Sequence, residues 1–145
     1  MTIDWLDLKE LKAGEDIFVT INPQLGTKKI YINSLASDIL GEETKWVRVG
    51  IDYDERKLII KPLRERIPEA LGMTKATSNG DLNVKLLVNS RLIDMISDFT
   101  GIEDTTRFQG EWNEDAGFLE IDLTRKANSR FGGNIVDFND SAYNG

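Results

Sequence analysis

From Ile17 to Asn22 apolar and polar positions alternate, with Ile17, Val19 and Ile21 on one side and Phe18, Thr20 and Asn22 on the other. This period-two pattern, rich in β-branched residues, predicts a strand. Pro23 to Gly26 supplies turn chemistry, and Lys29 to Ile32 returns as a second strand. At Asn33-Ser34 the period lengthens to that of a short helix with Leu35, Ala36, Ile39 and Leu40 on its apolar face. Either Asn33 or Ser34 can accept from the first free backbone N–H groups, and Gly41 ends the helix. Alternation resumes at Val47, Val49 and Ile51, crosses a polar turn from Asp52 to Arg56, and continues through Leu58 and Ile60 as a hairpin.

The pattern then recurs. KIYINSLASDIL (29–40) over KLLVNSRLIDMI (85–96), an offset of 56, sets Lys29 on Lys85, Ile32 on Val88, Asn33 on Asn89, Ser34 on Ser90 and Asp38 on Asp94. VRVGIDYDERKLIIK (47–61) over FQGEWNEDAGFLEID (108–122), an offset of 61, puts Phe108 and Trp112 where the first copy has Val47 and Ile51. The difference between the offsets predicts about one extra helical turn in the second copy. That copy reads as a strand over 83–88, a helix from Ser90 to Phe99 stopped by Gly101, and a hairpin turning through Asn113 to Gly117. A one-residue slip would send every side chain to the opposite face, so matched parity points to duplication.

Around the repeats, DWLDLKELK (4–12) predicts an amphipathic helix carrying Trp5, Leu8 and Leu11, capped by Asp4 and stopped by Gly14. Residues 62–81 hold two prolines and a small apolar group, Ile67, Leu71 and Met73, and are expected to cross over while packing loosely on a barrel. Residues 124–145 have no sustained period. The expected organisation is an N-terminal helix (1–16), a first half (17–62), a crossover linker (63–82), a second half (83–123) and a C-terminal tail (124–145). The expected fold class is mainly β with short helices (α+β), two strand–helix–hairpin units closing into one small barrel.

Composition narrows the chemistry. The 145 residues contain neither Cys nor His, which removes disulfides, thiol nucleophiles, thiolate zinc sites and the commonest general base. Phosphate-loop, dinucleotide and serine-nucleophile motifs are also missing, so a non-enzymatic protein without cofactor or small-molecule substrate is expected. No apolar run spans a bilayer and the N-terminus lacks a leader pattern, giving a cytoplasmic expectation. The net charge of −7 is uneven: Lys/Arg against Asp/Glu is 9 to 11 over residues 1–62, 3 to 2 over 63–75, and 6 to 12 over 76–145.

The Gln24-Leu25-Gly26 turn, the strand Lys29-Ile30-Tyr31-Ile32-Asn33, the helix closed by Leu40-Gly41 and the hairpin ending Leu58-Ile59-Ile60-Lys61-Pro62 together resemble the AbrB/MazE-type swapped-hairpin family. The likeness covers residues 17–62 and, more weakly, 83–123. It implies two interlocked half-barrels, here within one chain, and a DNA-binding transcriptional regulator using basic residues in the turn and near the helix. In this sequence the turn supplies Lys28 and Lys29, but Ser37 and Asp38 stand at the helix positions where that family carries arginines, and Ile93 and Asp94 in the second copy. A carboxylate at such a place repels phosphate.

Lys28, Lys29, Arg48, Arg64 and Arg66 are therefore the candidate DNA contacts. Asp52, Asp54 and Glu55, like Asn113, Glu114 and Asp115, have metal-compatible oxygens, but such residues serve hairpin turns for backbone reasons and no metal is expected. Glu111, Glu114 and Asp115, with Phe131, Ile135, Phe138 and Tyr143 of the tail, are the candidate partner contacts. They support the alternative of an acidic inhibitor or antitoxin acting on a host enzyme. A further alternative is a virion subunit. DNA or a host protein is thus the expected partner, homo-oligomerisation is open, and a phage or mobile-element origin suits the small, acidic, catalytically bare chain.

Overall fold

Eight strands close on themselves in the order β1-β2-β6-β5-β3-β4-β8-β7, every neighbouring pair antiparallel. The computed structural model describes residues 16–76 and 83–127. The expected helix at 4–12 and the tail contacts Phe131, Ile135, Phe138 and Tyr143 lie outside the described residues.

In chain order the elements are β1 (Ile17–Asn22), β2 (Lys29–Ile32), α1 (Ser34–Leu40), β3 (Trp46–Asp52), β4 (Lys57–Leu63), β5 (Leu71–Lys75), β6 (Lys85–Leu87), α2 (Ser90–Thr100), β7 (Thr106–Asn113) and β8 (Phe118–Ala127). The alternation of β1 is realised as expected, with Ile17, Val19 and Ile21 inside. Across β1–β7, Val19 faces Phe108, and across β4–β8, Leu58 faces Ile121 and Ile60 faces Leu119; all six are fully buried. Ile51 and Trp112 are half-buried against the same cluster, so the two hairpins share one core. Closure leaves no sheet edge within the barrel and gives each stave a dry inner face.

The hairpins do not stay beside the strands that precede them. β7 pairs with β1 of the first half, while β3 pairs with β5 from the stretch between the halves. The element run β-β-α-β-β occurs twice.

Three expectations are corrected. The stretch expected to cross over loosely contributes a stave, β5, paired to both β3 and β6. Gly72 disguises it as a breaker, yet a Cβ there would stand 3.3 Å from the Trp46 ring, so the glycine admits the indole onto the sheet. The alignment of Ile32 with Val88 fails in space: Ile32 is fully buried whereas Val88 is 64% exposed. The interior positions of β6 are Lys85 and Leu87, opposite Ile32 and Ile30, and Val88 is one extra residue before the helix cap. The last strand also runs past residue 123 to Ala127, entering the expected tail.

Both helices begin as the sequence implies. Asn33 Oδ1 accepts from Ala36 N at 3.2 Å and Asn89 Oδ1 from Leu92 N at 2.9 Å. Gly101, in the left-handed region at φ 77°, closes α2. α2 has 11 residues and α1 only 7. Leu92, Ile93 and Ile96 bury themselves in the barrel, and Phe99, in the last turn of α2, packs edge-on against Tyr53 of the β3–β4 turn with centroids 5.1 Å apart.

Candidate functional site

The β3–β4 hairpin has Asp52 opposite Lys57, and this register puts Arg48 opposite Lys61 on the outer face. Both side chains are exposed. Like charges directly opposite are unfavourable in a ladder, so the pair is not there for the sheet's sake. Where the hairpin meets β5, Arg66 lies over the Trp46 ring at 5.3 Å from its centroid. Beside Trp46 opens a cleft of about 670 Å³ whose rim includes Lys45, Arg64 and Glu43. Among the described residues, Lys45, Arg48, Lys61 and Arg64 make no ion pair.

The structure therefore brings together three of the five predicted DNA contacts, Arg48, Arg64 and Arg66, and adds Lys45 and Lys61. Counting outward from the polar turn would have paired Lys61 with Arg48 from sequence; nothing in the sequence would have placed Lys45. The other two predicted cations are elsewhere. Lys28 precedes β2 and Lys29 begins it, and β6 and β5 intervene between β2 and β3. Lys28 is spent on an ion pair of 2.5 Å with Asp94 of α2, which ties the β1–β2 loop to that helix. The aspartate whose charge seemed to oppose DNA binding thus neutralises one of the residues expected to contact DNA.

The predicted acidic contacts gather at the β7–β8 hairpin. Glu111 is exposed on β7, opposite Glu120 of β8. Glu120 is neutralised by Lys57 at 2.7 Å and accepts from Asn113 Nδ2 at 2.6 Å. The hydrogen bond from Lys57, then that from Asn113, holds its carboxyl below the usual range against the opposing effect of burial. Burial would push Asp122 up, but hydrogen bonds from the Thr124 hydroxyl and backbone N–H prevail and lower it. Glu111 faces solvent, as do Glu114 and Asp115 in the turn. Glu111, Glu114 and Asp16 edge a groove of about 440 Å³ with Ile17, Leu35, Ile39 and Trp112 among its lining. Asp115 is not part of that lining.

One side chain in each turn has a backbone duty: Asp52 Oδ1 accepts from Glu55 N at 3.0 Å, and Asn113 Oδ1 accepts from Ala116 N at the same distance. Among the described residues no three acidic side chains converge as a metal site would require. No described helix is long and apolar enough to cross a membrane.

Sequence reasoning missed Lys85. It is only 5% exposed, and its Nζ donates to the carbonyls of Glu42 at 3.0 Å and Thr44 at 2.8 Å, pinning the loop from α1 to β3. Burial pushes its pKa down, with Glu42 and Glu43 pulling the other way. Facing Ile32 across β2–β6, it is a structural ammonium rather than an exposed contact.

No family model, no curated protein and no solved structure matches the chain.

Proposed function

We propose that the chain is a small non-enzymatic DNA-binding regulator, an internally duplicated AbrB-like barrel whose two halves supply the interlocked hairpins that the family it resembles makes from two chains. The repeated β-β-α-β-β run, the matching pairings of β1 with β7 and of β5 with β3, and the equivalent caps at Asn33 and Asn89 support the duplication. The observation that carries the functional reading is the exposed Arg48–Lys61 pair, continued by Lys45, Arg64 and Arg66, on a chain whose net charge is −7. An acidic protein keeps opposed cations on one sheet face at a cost to the ladder, and a polyanion is the ligand that offsets it. The test is duplex binding by fluorescence anisotropy across a salt series. Replacing Arg48 and Lys61 by Ala together should reduce the slope of log K against log salt by about 2. Absent or salt-insensitive binding removes the reading.

A second reading is favoured by the groove edged with Asp16, Glu111 and Glu114: a protein-directed inhibitor that presents an acidic, apolar-floored surface to a basic site on its target. Charge reversal at Glu111 and Glu114 should then abolish capture of that target while leaving DNA binding no weaker.

A further inference from the structure

We propose that the cleft beside Trp46 receives an unpaired DNA base, so that the face carrying Arg48 and Lys61 prefers DNA in which a base lies outside the duplex. The inference rests on the DNA reading above and adds what that face selects. Val47 is fully buried, so Trp46 and Arg48, its neighbours in β3, both point outward. They stand about 7 Å apart along the strand, and across to β4 their partners are Leu63 and Lys61. The indole and the opposed cations are thus adjacent steps of one outer ladder. Trp46 takes no part in the barrel core; it is half-buried on the outside, with its ring against Gly72 of β5. A glycine inside a strand weakens the sheet, so the barrel gives up stability to seat an indole on its outer wall.

The lining of the cleft suits a nucleotide. Trp46, Pro62 and Leu63 give it apolar surface, and its volume of about 670 Å³ is that of a small-molecule site. Lys45 and Arg64, also in the lining, make no ion pair among the described residues and are left for phosphate. Glu43 repels phosphate there but can accept from the N–H groups of a base edge. Arg66, itself exposed, stands over the Trp46 ring. Stacking of a base on an aromatic ring outweighs an exposed cation–π contact, so an incoming base displaces the guanidinium and frees it for the backbone. A fully paired duplex presents phosphates and base edges while its base faces stay hidden in the stack, so it can use the cations but not the indole. An unpaired base uses both.

The test is fluorescence anisotropy with the full chain and three DNA probes: a blunt duplex, the same duplex with a short single-stranded thymidine overhang, and the same again with an abasic overhang. The last two carry equal phosphates and differ only in their bases. The thymidine overhang should bind about tenfold tighter than the abasic one, as one base stack provides. Trp46→Ala should bring the two within about twofold of each other, and Trp46→Phe should keep most of the difference. Equal affinities for the two overhangs in the wild type would overturn the inference, and so would a difference that survives Trp46→Ala. The wild-type comparison decides the matter even where Trp46→Ala does not fold. Salt-sensitive binding of the blunt duplex with no gain from thymidine would overturn this inference alone, whereas no binding of any probe would remove the DNA reading with it.

Discussion

Lys57 on β4 and Glu120 on β8 stand 2.7 Å apart and join the two hairpins on the outer wall of the barrel. Glu120 is held below the ordinary carboxylate range chiefly by the hydrogen bond from Lys57, and the same bond raises Lys57 against the opposing effect of burial. For Glu120 the unfolded chain binds more protons in the window below about 4.3, so its stabilisation is present above that pH and lost as pH falls through the folded value. For Lys57 the contribution is complete below about 10.4 and lost as pH climbs through its raised folded value. Urea midpoints over a pH series should show a shallower acid limb for Glu120→Gln than for the wild type, together with lower stability at neutral pH. Parallel acid limbs would show that the pair is uncoupled from folding.

Lys85 behaves in the opposite sense. Its folded pKa is depressed by burial, so the unfolded state holds the proton more tightly and stability should rise as pH approaches about 10.4. Lys85→Met keeps the length of the stem but abandons the carbonyls of Glu42 and Thr44, which should cost about 1–3 kcal/mol at neutral pH. The same substitution should flatten the alkaline rise and speed amide exchange in residues 41–45. Denaturant titration and exchange mass spectrometry measure both.

The two caps offer a comparison within one molecule. Asn33→Ala and Asn89→Ala should each cost about 1 kcal/mol from the lost N-terminal hydrogen bond. Asn33→Ala should cost more of the two, because Asn33 Nδ2 also holds the Asp16 carbonyl at the entrance to β1. Thermal unfolding of the two variants side by side settles the order.

What could be read from the sequence was whatever local periodicity decides. Val47 and Phe108, or Leu58 and Leu119, match in parity because a hairpin's alternation is set by its own turn, and all four are fully buried. Helix limits were legible at Asn33, Gly41, Asn89 and Gly101, where capping chemistry is local. The failures arose where the cause is long-range. Val88 looks like an interior residue until the ladder from β2 to β6 assigns that face to Lys85 and Leu87. β5 is short and carries a glycine whose purpose, seating Trp46, depends on a strand 26 residues earlier in the chain (46 to 72). The candidate site divided in the same way. Arg48, Arg64 and Arg66 come from one hairpin and its exit, whereas separating Lys28 and Lys29 from them required the strand order.

Arg48 and Lys61 provide a test in which stability and binding should move in opposite directions. Opposed cations weaken the β3–β4 ladder, so Lys61→Ala should leave the barrel unchanged or stabilise it by up to about 1 kcal/mol. Arg48→Glu goes further, replacing a repulsive cross-strand pair with an attractive one, and should raise the urea midpoint. If the face contacts DNA, both variants must bind duplex more weakly at low salt, with Lys61→Ala lowering the salt slope by about 0.9 and Arg48→Glu losing more affinity through repulsion of phosphate. Unfolding and anisotropy measured on the same preparations separate the outcomes. Weaker binding by a barrel of equal or greater stability identifies the hairpin face as the contact, and undiminished binding by Arg48→Glu would move the interface off β3 and β4 altogether.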